Sequence, residues 1–305
     1  MNVAAIHESE LAPGQAKKIG FQTILVATDF SVESQAALRE AIATARAYES
    51  RLLVLHVLTP EMSYEIAPEA LVLATHSRRR WAETEMTQLL ISGCLRDILH
   101  EVHIVEGAIE TVLGRFIESE NVDLVVVGSH GLTGAKKLVF GSVAEAIFRT
   151  SPCPVLVVGP SAVGKSKVAR PVHSVLWATS LSSGQDSSMH CAFSLAHEHQ
   201  ARLTLLHVWQ GSRAVPFMGI DDFREEAKQR LRNFLPVEGD LWFQTETLVM
   251  EGSPEQEIVS TARAMKSDRI VLGVRRGHPF ASHLPGTIAY EVVRRAPCPV
   301  LIVPR

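Results

Sequence analysis

Cysteine is scarce in this sequence: its 305 residues include four cysteines, and no two of them stand in a C-x-x-C spacing. They are too few and too scattered for a disulfide framework, and their spacing argues against a zinc ribbon or a thioredoxin-type motif. An excess of charge of one sign is lacking too, because 30 Lys and Arg residues nearly balance 33 Asp and Glu residues. The formal net charge of −3 therefore predicts no nucleic-acid partner.

Long hydrophobic runs are also missing. Apolar residues make up 46% of the chain, yet no stretch reaches the roughly 18 uninterrupted apolar positions that a membrane span needs. The first 20 residues contain acidic side chains and no apolar core of the signal-peptide type, so we expect a flexible N-terminal arm there. These features predict a cytoplasmic protein without a membrane partner.

The chain contains an internal repeat. The run LVLHV at 53–57 returns as TLLHV at 204–208, and PCPVL at 152–156 returns unchanged at 297–301. The two offsets, 151 and 145, show that the second copy is six residues shorter between its second and third strands. We predict an arm at 1–20, a first domain at 21–159, a linker at 160–172 and a second domain at 173–305.

Apolar runs alternate with helical patterns in both copies. The predicted strands are 22–28, 51–57, 102–105, 122–127 and 155–158 in the first copy, and 174–179, 203–208, 245–249, 269–272 and 300–303 in the second. Helices are predicted at 32–48, capped by Ser31, at 70–98, at 108–119, and after the capping-box pattern that starts at Ser253. This alternation predicts two tandem flavodoxin-like, Rossmann-like doubly wound α/β domains, each with a five-stranded parallel sheet, forming a pseudo-dimer. The last strands, 155–158 and 300–303, are the expected contact.

The stretch 122–158 carries the main functional pattern. A buried strand leads directly into Gly128 and Gly131, and nine residues later Gly141 and Ser142 open a helical pattern. The first N–H groups of a helix attract anions, and glycines let a phosphate approach the backbone. The alternative is that the glycines only form turns and Ser142 only caps the helix. The strand before the loop and the helix at its end favour a nucleotide site.

The segment GSHGLTGAKKLVFGS at 128–142 resembles the G-2x-G-9x-G-[ST] motif of nucleotide-binding members of the universal stress protein family. The resemblance extends to ILVATDFS at 24–31 and LVLHV at 53–57, so it covers a whole domain. It implies a stress-response sensor or regulator that binds ATP, AMP or ADP, with Mg held through the nucleotide. The contacts implied in the first copy are Ala27, Asp29, Val57, Val127, Gly128, His130, Gly131, Gly141, Ser142 and Val143.

Three of these positions leave alternatives open. A carboxylate directly after a buried strand, as at Asp29, is typical either of a cap for the next helix or of a ligand group. The resemblance assigns Asp29 to the nucleoside and, only indirectly through the nucleotide, to the metal. Val57 and Val127 are equally compatible with ordinary core positions.

The second copy departs from the pattern. Ser180 stands where the first copy has Asp29, and Arg276 stands where it has Gly131. A side chain at the second glycine would crowd a phosphate lying on the backbone, although Arg275 and Arg276 could instead hold the phosphate by charge. We therefore predict one competent site in the first copy and a weaker, degenerate one in the second, comprising Gly273, Arg276, Gly286 and Thr287.

Other functions remain as alternatives. Slow ATP hydrolysis or autophosphorylation, with Ser142 or Thr133 as acceptor, would make the protein an enzyme, but the sequence offers no convincing general base. A nucleotide-free scaffold is a further alternative. A protein partner is expected but not identified, and a homodimer beyond the internal pairing stays open.

Five weaker patterns are interpreted without a functional site. The match to a phosphate loop at 159–166 reads as linker, since Pro171 leaves no room for the helix that such a loop needs. The basic run at 78–81 is interpreted as a solvated helix face. Three histidines on one predicted helix have poor spacing for zinc, namely His190, His197 and His199. Core positions are predicted for His56 and His207, and structural roles for Cys153 and Cys298, which would be redox-reactive if exposed.

Overall fold

The computed structural model describes residues 20–60, 68–129, 143–144, 147, 151–162, 171–181, 187–211, 219–235, 243–274 and 287–305. The strands in these residues are β1 (Thr23–Ala27), β2 (Arg51–Leu58), β3 (His100–Glu106), β4 (Leu124–Gly128), β5 (Val155–Val158), β6 (Ser174–Thr179), β7 (Arg202–Trp209), β8 (Thr245–Glu251), β9 (Arg269–Val274) and β10 (Val300–Pro304). The helices are α1 (Val32–Tyr48), α2 (Pro68–Ile91), α3 (Ile109–Ser119), α4 (Ser187–His199), α5 (Ile220–Arg232), α6 (Pro254–Ala264) and α7 (Ile288–Arg295).

The strands form one ten-stranded sheet in the order β3-β2-β1-β4-β5-β10-β9-β6-β7-β8. Within each half the neighbours pair in parallel, whereas β5 and β10 pair antiparallel. The two five-stranded parallel sheets are thus joined through their last strands. This confirms the predicted α/β fold and the predicted contact of 155–158 with 300–303.

Each face of the sheet carries its own hydrophobic layer. Successive side chains of a strand point to opposite faces, so that Ile24 and Val26 belong to one cluster while Leu25 and Ala27 belong to the other. The first layer is closed by α1, α2, α4 and α5, and the second by α3, α6 and α7. Burial on both faces explains why these strands are continuous apolar runs.

The duplication extends to details of the backbone. Asp123 and Asp268 occupy equivalent positions, and one carboxylate oxygen of each accepts two backbone N–H groups at the start of β1 and β6 respectively. Phe30 and Leu181, also equivalent, both adopt left-handed backbone angles, with φ of 63° and 57°. The two copies therefore build the same turn after their first strand.

Two predicted helix boundaries need correction. The helix predicted to reach residue 98 ends at Ile91, because Gly93 has φ of 72° and the chain turns there. Ser253 precedes α6 and Pro254 is its first residue, as predicted, but the capping box is wrong. The Ser253 hydroxyl donates to the Glu255 carboxylate instead of accepting a helix N–H, since a carboxylate is the stronger acceptor.

Candidate functional site

Two of the predicted contact segments, the turn after β1 and the end of β4, lie where the strand order reverses. The chain runs from β1 outward to β2 on one side, while β4 lies on the other side of β1 and leads to β5. In doubly wound sheets a crevice opens at this point beyond the carboxyl ends of the strands, and ligands bind there. Val26 pairs with Val126, so the two strands reach this edge together at Thr28 and Gly128.

The turn after β1 is held by its own side chains. The Thr28 hydroxyl accepts the Phe30 N–H at 3.0 Å, and Asp29 Oδ1 accepts the Ser31 N–H at 3.1 Å. Ser31 is the N-cap of α1, as predicted, and its Oγ accepts the Ser34 N–H at 3.2 Å. Asp29 thus braces the turn that leads into α1, and its side chain remains half-buried at the crevice.

Gly128 allows β4 to approach α1 closely. A Cβ at this position would lie 2.9 Å from the carbonyl carbon of Glu33 and 3.1 Å from the backbone nitrogen of Ser34. Real Cβ atoms do not come that near, so a side chain would force the end of β4 away from the first turn of α1. The glycine is therefore required by packing, whether or not a ligand is bound.

His56 supports the turn from β2. Its Nδ1 lies 2.8 Å from the carbonyl oxygen of Thr28, and because a carbonyl can only accept, Nδ1 carries the hydrogen. Burial lowers the pKa of His56, and the bond to Thr28 acts in the opposite direction. His207 makes the same bond to Thr179 at 2.9 Å. Both are satisfied core histidines, as predicted.

An aromatic cluster covers the turn on the α2 side. The Phe30 ring lies 4.9 Å from the His56 ring and 5.4 Å from that of Trp81, measured between centroids. The prediction of a solvated face holds for Arg79, which pairs with Glu83 at the surface. It holds for Trp81 as well, which is 41% exposed although its ring contacts Phe30.

The structure describes some of the remaining predicted contacts and not others. Ala27 and Val127 are 6% and 1% exposed, so their side chains belong to the core and only their backbone borders the crevice. Val57 is half-buried against the second layer. Val143 is half-buried and helical. His130, Gly131, Thr133, Gly141 and Ser142 lie outside the described residues, as do 163–166 of the linker match.

The equivalent edge of the second copy is built differently. Ser180 replaces Asp29, and Arg230 Nη2 donates to the carbonyl oxygen of Leu181 at 2.5 Å. A Cβ on Gly273 would lie 2.1 Å from Nε of Arg305. The guanidinium of Arg305 therefore rests on this glycine, where the first copy has the first turn of α1.

Two further predicted residues of the second site lie outside the described chain, namely Arg276 and Gly286. Thr287 is described: it is the N-cap of α7, and its hydroxyl accepts the Tyr290 N–H at 3.4 Å.

The cysteines predicted to be structural are buried. Cys153 and Cys298 are 9% and 5% exposed, and burial raises the pKa of Cys298 to about 12. The reactive thiolate form is therefore disfavoured at Cys298. Within the described segments, no three His, Cys, Asp or Glu side chains are grouped as a metal site would need. No described helix has the length and apolar character to cross a membrane.

Comparison with known proteins finds the same domain twice. The model of the universal stress protein family matches residues 20–159 and 171–304. A universal stress protein of Mycolicibacterium smegmatis is 25% identical over 289 residues, which cover 92% of this chain and 96% of the relative. The crystal structure of a universal stress protein from Archaeoglobus fulgidus covers 93% of this chain and 98% of its own at 20% identity, with a TM-score of 0.66, and shows the same fold.

A universal stress protein crystallised in complex with cAMP is 26% identical, covers 46% of this chain and 97% of its own, and has a TM-score of 0.30. At that TM-score the likeness carries no argument about the ligand of this chain. The family model, by contrast, spans both halves of the duplicated sheet. The chain therefore belongs to the universal stress protein family and carries two of its domains in tandem.

Proposed function

We propose that this protein binds an adenine nucleotide, as ATP, ADP or AMP, in the crevice between β1 and β4 of its first copy. The observation that carries the proposal is the meeting of Asp29 and Gly128 at the point of strand-order reversal. The glycine loop of 128–142 begins at that point. A doubly wound sheet with a glycine-rich loop at this edge is suited to a phosphate-bearing ligand.

The described residues fit such a ligand. Asp29 and Val57 stay half-buried at the edge while the strands behind them are closed, which leaves both within reach of a ligand at this edge. Ala144 and Ile147 are fully buried. They anchor the helix whose first N–H groups would face the phosphates. A nucleotide would supply the polyphosphate charge, Mg would accompany the phosphates, and Asp29 would approach the metal only through them.

We assign one competent site to each chain. The first copy keeps the carboxylate and the glycines of the loop, whereas the second has Ser180, Arg276 and the Arg305 guanidinium resting on Gly273. The site then belongs to a first domain at 21–159, joined by the linker 160–172 to a second domain at 173–305 whose site is degenerate.

The activity that follows is regulation by occupancy. A ligand that binds one conformation of the glycine loop better than others shifts the population toward it. The state of the loop would then change the surface that a protein partner meets. We propose a cytoplasmic regulator of the stress response that acts by binding, without a committed reaction.

Calorimetric titration of Mg-ATP into the full chain tests the proposal. We expect a stoichiometry near one, and no detectable binding to Gly131→Arg, whose side chain fills the phosphate position. Gly286→Arg introduces an arginine into the second copy, at the position equivalent to Gly141, and should bind like the unmodified protein. Unchanged affinity in Gly131→Arg, or equal loss in both variants, would overturn the assignment. Gly131→Ala provides a milder variant if the arginine prevents folding.

A further inference from the structure

The two domains meet around an approximate twofold axis. Leu156 of β5 pairs with Leu301 of β10, and these two residues are equivalent in the duplication, 145 positions apart. On the side of α1 and α4, the rings of Tyr48 and His199 lie 6.1 Å apart. They too are equivalent, 151 positions apart. The axis therefore passes between the members of these pairs, and each position on one side of it has an equivalent position on the other.

One contact breaks this symmetry. Glu40 of α1 and Arg269 of β9 form an ion pair between the domains through Oε2 and Nη2, and their side chains are only 14% and 7% exposed. In the other copy, Cys191 is equivalent to Glu40 and Leu124 is equivalent to Arg269. Leu124 and Cys191 are 1% and 4% exposed and belong to one hydrophobic cluster. The junction is thus ionic on one side of the axis and apolar on the other.

The Glu40 carboxylate is the acidic group in direct contact with Arg269, while the carboxylates of Glu198 and Asp268 act on the neighbouring Tyr48 and Cys298. Arg269 also donates from Nη1 to the carbonyl oxygen of Asp268 at 2.8 Å. Tyr48 and Cys298 lie near the guanidinium, but burial raises the pKa of each. Both stay uncharged, so neither supplies a negative charge to Arg269. Removing one member would leave the other as an unpaired buried charge, which is strongly unfavourable.

The possible pairings of domains differ in whether these two buried charges meet a partner. If first domains of two chains met through β5 in this geometry, each Glu40 would face the other chain's Leu124. If second domains met through β10, each Arg269 would face the other chain's Cys191. Either arrangement buries two unpaired charges, whereas a first domain against a second domain pairs them.

We propose that the Glu40–Arg269 pair selects the partner at this junction, so that a first-domain surface accepts a second-domain surface and rejects a copy of itself. The interaction surface comprises β5 with α1 in one domain and β10 with β9 in the other. Its partner is a domain of the complementary charge.

Charge reversal in the full chain tests the energetic part. Glu40→Arg and Arg269→Glu each place like charges together and should raise the unfolding equilibrium constant of the chain by at least about 100-fold. Combining both reversals in one chain restores an ion pair and should recover most of that loss. Arg79→Glu, which breaks the exposed pair with Glu83, is the matched control and should change the denaturation midpoint little.

A mixing experiment tests the selection itself. The Glu40→Arg chain, carrying a tag, is refolded together with the untagged Arg269→Glu chain. The first domain of each then has a complementary second domain in the other chain. We expect the untagged chain to co-purify beyond the level seen for the unmodified protein with itself, and the mixture to regain stability. Absence of extra exchange, or a double reversal as unstable as the single ones, would overturn the proposal.

Discussion

The imidazole of His56 ties the second strand to the turn that carries Asp29, through its bond to the carbonyl oxygen of Thr28. His56→Phe keeps a ring against Phe30 but leaves that carbonyl without its donor. We expect the free energy of unfolding to fall by about 1–3 kcal/mol, and less in His56→Asn, whose amide can donate. Denaturant unfolding measures both.

The equivalent histidine separates stability from binding. His207→Phe removes the same bond from the second copy and should lower stability by a similar amount. We expect it to leave the affinity for Mg-ATP unchanged, whereas His56→Phe weakens binding because the turn before α1 loosens. Equal effects of the two variants on nucleotide affinity would contradict the assignment of the site to the first copy.

Both histidines also predict a pH dependence. Burial lowers the pKa of His56 and of His207, so the folded chain keeps them neutral where the unfolded chain takes up protons, below about 6.5. The unfolded state then binds more protons, and the free energy of unfolding falls as the pH falls through that value. Urea unfolding between about pH 7.5 and 5.5 should show this loss. A chain carrying His56→Asn and His207→Asn should lose less unfolding free energy over the same pH range. An equal loss would contradict the assignment of the pH dependence to these two histidines.

At the scale of elements, the patterns that could be predicted are those that depend on neighbours in sequence. Helix α1 runs from Val32 to Tyr48 as expected, because Ser31 is a strong local cap and the apolar positions recur at helical spacing. The end of α2 was missed, since Gly93 is compatible with a helix until its φ of 72° is known. The capping box predicted at Ser253 does not form, because a hydroxyl can donate as well as accept and this one donates to Glu255.

The junction of β4 and α1 gives an element-scale prediction. Gly128→Ala introduces a Cβ 2.9 Å from the carbonyl carbon of Glu33 and should destabilise the chain by about 1–3 kcal/mol. Gly114→Ala is the matched control, because a Cβ there meets nothing within 4 Å on helix α3. It should be neutral or stabilising by up to about 1 kcal/mol. Thermal unfolding compares them, and equal shifts would contradict the role given to Gly128.

At the scale of the whole molecule, the repeat predicted the duplicated sheet but not what makes its halves differ. Glu40 and Arg269 stand far apart in sequence and in unrelated local patterns, and only the fold brings them together. The same holds for Arg305 over Gly273 and for Trp81 beside Phe30. Contacts between distant elements leave no periodic pattern in the sequence. Substitutions such as Ser180 for Asp29 therefore predicted that the two sites differ, but the geometry of each site could not be predicted.

The central claim is that one half of a duplicated molecule binds a nucleotide. Native mass spectrometry of the full chain titrated with Mg-ATP counts bound molecules directly. We predict a single added nucleotide per chain that is lost in Gly131→Arg and kept in Gly286→Arg. Two nucleotides per chain, or none at saturating Mg-ATP, would contradict the account.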